Sequence, residues 1–212
     1  MWRALKVELE YFLPWLLGGL GIAAFVVVLL SVLVRFLEEG DGPPISVIAI
    51  FPIIAGMVVS FIAQSYRVEE RRPRLLLAGP FTPRQLAWVT VLLPVCFVGL
   101  GVLATVPMIW LATLITGKLE TSALPVIAGF AGQFWAYAQL GPLAQESTAA
   151  LRQKRSSAAI IGWAVFVGAI LVLAASQFFM HTVSGHAGFV TASVASMAAA
   201  AALYQNRTDF TR

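Results

Sequence analysis

Charge is scarce in this chain: Asp, Glu, Lys and Arg make up 11% of its 212 residues, where a soluble domain carries about 25%. Cysteine is scarcer still. The single Cys96 lies inside an apolar stretch, which excludes a disulfide framework and a thiolate metal cluster. The two histidines, His181 and His186, have no carboxylate or cysteine beside them and read as loop histidines rather than metal ligands. No G-x-x-x-x-G-K-[ST] loop occurs, so the chain cannot hydrolyse ATP by that route. What it has in excess is apolar residues, 59% of the total, with a mean hydropathy of +0.87. These values predict a polytopic membrane protein, and apolar segments long enough to cross as helices predict an all-α one.

Six apolar segments are long enough to cross a bilayer: 13–36, 45–66, 85–116, 124–145, 157–179 and 187–204. The first holds about 24 residues, roughly 36 Å of helix. Ahead of it, Trp2, Leu5, Leu9 and Phe12 recur at spacings of three and four, with Arg3, Lys6 and Glu10 on other faces. That pattern predicts an amphipathic helix over 1–11 lying in the membrane interface, with Pro14 bending the chain into the first span. A plain extension of the first span reads equally well. The charges are followed by an apolar run too long for a signal-peptide core, so this region reads as structure rather than as a cleaved leader. Pro94 and Pro107 predict kinks in the third span. The sixth carries small residues in two stripes, Ala187, Thr191, Ala195 and Ala199 beside Gly188, Ala192, Ser196 and Ala200, which predicts a place inside the bundle.

Six spans put both termini on one side. Of all the lysines and arginines, only Arg35 and Lys118 fall on the opposite face. By the positive-inside rule the crowded face, with both termini, is cytoplasmic. The expected fold is therefore one transmembrane domain over 1–212, an all-α bundle of six spans with a cytoplasmic segment at 67–84 and a second cytoplasmic loop at 146–156.

The segment 67–84 is the one strongly charged block in the chain. Glu69, Glu70, Arg71, Arg72 and Arg74 precede Leu75, Leu76 and Leu77, and Gly79-Pro80 ends the run. A short helix over 67–77 is expected, followed by a new start at Thr82-Pro83-Arg84-Gln85. There the Thr82 hydroxyl can accept the Gln85 backbone N–H while the Gln85 side chain returns to the Thr82 N–H. Pro83 occupies the first helical position, and Phe81 and Leu86 are placed to staple across the cap.

Few groups could do chemistry. Glu69-Glu70-Arg71-Arg72-Pro73-Arg74 spells EE, three residues, R, which resembles the first motif of the intramembrane prenyl-protein endopeptidases. Here the pair stands among arginines at the surface, and both histidines fall in the opposite loop, so a solvated charge run is the preferred reading. No catalytic residue, metal ligand or nucleic-acid surface is expected. Asn206-Arg207-Thr208 matches a glycosylation sequon, which the expected cytoplasmic side would leave unmodified. Gln133, Tyr137 and Gln139 give the fourth span its polarity; they could line a pathway or simply bond between helices.

The charged block, with Glu69, Glu70, Arg71, Arg72 and Arg74 leading into Leu75-Leu76-Leu77, Pro80 and Pro83-Arg84-Gln85-Leu86, resembles the type-2 ABC exporter permeases. The expected topology resembles theirs over nearly the whole chain. The resemblance implies a permease subunit of an export system in a bacterial plasma membrane, pairing with a second permease chain, identical or different. A separate ABC ATPase, which would bind the ATP and magnesium, is then expected to dock on 67–77 as the coupling helix. The glycine-containing G-x-L-E segment often found there is replaced by Pro73-Arg74, and the link between spans five and six leaves little room for re-entrant helices. A different class of function fits the same block: a non-transporting assembly subunit whose arginines grip anionic lipid at about 1 kcal/mol each.

Overall fold

The computed structural model describes residues 2–36, 50–69, 81–117, 123–179 and 182–206. Six α-helices make up the described chain: α1 Trp2–Phe36, α2 Phe51–Glu69, α3 Pro83–Thr116, α4 Ala123–Arg152, α5 Ser156–Gln177 and α6 Val183–Gln205. Among the described residues, α1, α3, α5 and α6 are long and apolar enough to cross a membrane.

Their directions alternate, as the packing pairs show. Phe12 and Trp15 of α1 meet Tyr66 of α2 with ring centroids 6.5 and 6.0 Å apart, and Phe12 also meets Phe97 of α3 at 6.3 Å. At the other end of the bundle, the Arg35 guanidinium donates to the Ile115 carbonyl over 3.0 Å, so α1 and α3 run parallel with α2 between them in direction. Gly162 of α5 abuts Ser147 of α4 and Leu203 of α6, while Gly188 of α6 abuts Ser176 of α5.

One core cluster ties both ends of the sequence together. Ala4, Leu5, Phe12 and Leu16 of α1 join Val59 and Ala63 of α2, Leu86, Val89 and Phe97 of α3, and Tyr204 of α6. A second cluster joins Leu143 and Ala150 of α4 to Ala159 of α5 and to Ala200, Ala201 and Leu203 of α6. Within the membrane-length helices, α3 and α6 are the more buried, whereas α1 and α5 turn most of their surface outward. Of the two small-residue stripes on α6, Ala192, Ser196 and Ala200 are buried, while Ala187, Thr191 and Ala195 are exposed.

The tightest crossing is between α2 and α3. A Cβ on Gly56 would collide with the Phe97 carbonyl, and one on Gly101 would lie 3.0 Å from the Ile53 Cα. Here the two backbones touch, and only hydrogen fits between them.

Two boundaries differ from the sequence reading. Residues 2–11 are not a separate interfacial helix: α1 runs unbroken from Trp2 through Pro14 to Phe36. Its buried side chains from Leu5 to Ser31 fall on one stripe, at steps of three, four and seven, and burial of Ala4, Leu5, Glu8 and Phe12 packs the first turns into the bundle as part of the same helix. The segment 146–156 is not a loop as a whole. The α4 helix continues to Arg152, and Glu146, Ser147, Ala149 and Ala150 are buried in it. Ser147 and Thr148 donate to the Leu143 and Ala144 carbonyls of their own helix, so residues that read as polar spend their polarity locally. The turn between α4 and α5 is only 153–155, with Lys154 in the left-handed region at φ 58°.

Candidate functional site

Among the described residues, the start of α3 carries the one two-sided helix cap. Thr82 Oγ1 accepts the Gln85 N–H at 3.3 Å, and Gln85 Oε1 accepts the Thr82 N–H at 3.1 Å. Two of the orphan donors of a helix start, the Thr82 and Gln85 N–H groups, are satisfied, and Pro83 at the first helical position has none to satisfy. Phe81 and Leu86 both pack into the cluster that holds Leu5, Phe12 and Tyr204. A force applied to the chain just ahead of Thr82 would therefore reach α1, α2 and α6 through one packed contact region.

Most of the charged block lies outside the described residues. Glu69 is the last residue of α2, so 67–69 prolong that helix rather than begin a separate one. Glu70, Arg71, Arg72, Arg74, Leu75, Leu76 and Leu77 lie outside the described residues. So does His181. The other histidine, His186, sits in the first turn of α6, its Nδ1 2.7 Å from the Thr182 carbonyl oxygen, and Thr182 caps that helix by accepting the Gly185 N–H at 3.3 Å. Asn206 donates its amide to the Ala202 carbonyl at 2.8 Å. Among the described residues no group of three His, Cys, Asp or Glu side chains is placed to hold a metal.

The polar residues of α4 part company in space. Gln139 is completely buried and donates Nε2 to the Val91 carbonyl of α3 at 3.0 Å. That carbonyl lies next to Thr90, whose own carbonyl is the one left without a ladder donor by Pro94. Tyr137 points to the other side, packed against Ala136, Ala169, Leu173, Phe189 and Ala192 in the cluster of α4, α5 and α6. Gln133 is half-buried with a buried amide oxygen that accepts no hydrogen bond. Residues 133 and 137 share a helical face, whereas 139 lies roughly 200° round from 137 at about 100° per residue.

Sequence reasoning passed over Gln64, which α2 carries into the same buried layer. Its amide donates to Ser60 Oγ at 3.2 Å and to the Ala138 carbonyl of α4 at 3.3 Å. The sequence offers one part of the signal, a glutamine inside an apolar span, and not its partner. Polar groups at membrane depth must face protein or water.

A comparison of the chain with family models finds no match, and neither do comparisons with curated proteins and with solved structures.

Proposed function

We propose that this chain is the transmembrane permease subunit of an ATP-driven exporter, driven by a separate ABC ATPase and paired with a second permease chain. The nucleotide and its magnesium belong to that partner. In this reading the end of the bundle that gathers Leu5, Tyr66, Leu86 and Tyr204 faces the cytoplasm, because the basic residues crowd there. The charged segment 67–77 is the docking surface of the ATPase. The observation that supports the reading most is the double-sided cap at Thr82 and Gln85. Gripping anionic lipid needs only charge near a surface. A push carried from one protein to another needs a stiff connection, and here the segment's C-terminal side runs into a locked helix start whose staple residues belong to the core. Gln133 and Tyr137, on one face of α4, are the residues we assign to the substrate path. The completely buried Gln139 holds α4 to α3.

The test begins with tagged chain purified from native membranes in mild detergent, with the co-purifying proteins identified by mass spectrometry. A soluble protein with a Walker-type phosphate loop is expected at stoichiometric level. Arg72→Glu combined with Arg74→Glu should release it, or abolish its stimulation, while the permease stays folded. Recovery of membrane proteins alone, even after cross-linking at the charged segment, would replace this reading with that of an assembly subunit.

A further inference from the structure

Prolines stand inside α1 (Pro14), α3 (Pro94 and Pro107) and α4 (Pro142). Each withdraws the N–H that the carbonyl four residues earlier would accept. In hydrocarbon no water replaces that donor, so the carbonyl must find one in the protein. For Pro142 the stranded carbonyl is that of Ala138, and the donor comes from another helix: Gln64 Nε2 of α2, 3.3 Å away. Ser60 Oγ, one turn earlier on α2, lies 3.2 Å from the same nitrogen and steadies the amide. If the amide were turned over, its oxygen would face the Ala138 oxygen, so the nitrogen must stand there.

Gly141 completes the fit. A Cβ on residue 141 would fall on Gln64 Oε1 and would lie 3.1 Å from its Cδ. Thus Pro142 creates the acceptor, Gly141 clears the space, and a glutamine with 3% of its surface exposed fills both.

We infer that Gly141-Pro142 is the point about which α4 bends, and that the Gln64 side chain is the latch that holds it in the shape described. An uninterrupted helix can bend only by breaking bonds of its own ladder, whereas here the bond is already missing and the Gln64 contact stands in its place. On release, residues 143–152 tilt against 123–140. Ala159 of α5 and Leu203 of α6 move with them, since both pack against Leu143 and Ala150, and Gly162 rests on Ser147. The inference concerns the bundle alone and does not rest on the transport reading.

The experiment uses the full chain in lipid nanodiscs with Cys96→Ala, and with Leu151→Cys and Trp88→Cys as spin-label sites. Leu151 is 57% exposed on the moving segment and Trp88 is 45% exposed on α3. Double electron–electron resonance should give one narrow distance with Gln64 present. Gln64→Leu should add a second distance in roughly a tenth of the molecules or more, the upper range of an ordinary minor state. Adding Pro142→Ala, which restores the N–H to Ala138, should return the single distance. An unchanged distribution in folded Gln64→Leu protein would overturn the inference, as would a second distance that survives Pro142→Ala. If Gln64→Leu does not fold, Pro142→Ala is expected to rescue it, and failure to rescue refutes the latch equally.

Discussion

The contact between α2 and α3 invites a perturbation whose sign depends on where a single methyl group is placed. At Gly56 an added Cβ meets the Phe97 carbonyl oxygen, with the Phe97 carbonyl carbon at 3.0 Å and the Val98 Cα at 3.3 Å. All three are backbone atoms of a packed helix, so none can step aside as a side chain would. Overpacking of this kind costs about 1–3 kcal/mol, and an obstacle made wholly of α3 backbone argues for the upper value. Against it stands the helix preference of Ala over Gly, about 1 kcal/mol. The net loss expected for Gly56→Ala is therefore about 2 kcal/mol. At about 2–4 °C per kcal/mol for a chain of this size, the midpoint should fall by roughly 4–8 °C. Gly99 on α3 is the control, because a Cβ there meets nothing within 4 Å; Gly99→Ala should hold or raise the midpoint. The assay is thermal unfolding in detergent followed by tryptophan fluorescence, with size-exclusion chromatography of the heated samples. If Gly56→Ala and Gly99→Ala move the midpoint alike, the claim that these backbones touch is refuted.

Further outcomes follow from the same geometry. Thr82→Ala should cost about 1 kcal/mol through the lost cap, and hydrogen exchange should quicken in the first turn of α3 and not at its far end. Gln139→Leu removes the donor to the Val91 carbonyl and should destabilise by about 1 kcal/mol; an unchanged unfolding midpoint would deny that this bond ties α4 to α3. The Lys6 and Glu10 side chains approach to 3.6 Å but remain 72% and 61% exposed; Lys6→Gln should leave the unfolding midpoint within error, since exposed pairs contribute little.

What could be read from residues alone was what depends on near neighbours. The cap at Thr82 needs only four consecutive residues, so its donors and acceptors are spelled in order. The ends of α5 and the C-terminal end of α6 follow within two residues from apolar runs with polar breaks, whereas α6 starts at Val183, four residues ahead of the expected 187. By contrast, hydropathy records how a segment would dissolve, not what it packs against. It therefore assigned Glu146 and Ser147 to a loop, although α5 and α6 bury that turn and Ser147 turns its hydroxyl onto its own helix. The course of α1 across Pro14 is open in the sequence for the same reason, because the partners that its first turns pack against, Leu86 and Tyr204 among them, lie far along the chain. The partnership of Gln64 with Ala138 is wholly tertiary, and no spacing within α2 announces it.

The cluster that joins Leu5 to Tyr204 also sets an order of assembly. A ribosome delivers α1 first, yet the pocket for its opening turns is finished only once the end of α6 has entered the membrane. Until then Leu5 and Phe12 lack part of their cover, and a nascent or truncated chain displays this gap at the bundle's end. The end of α6 thus acts as a closing seal on the start of α1, and removing the Tyr204 side chain would leave that face of Leu5 and Phe12 open.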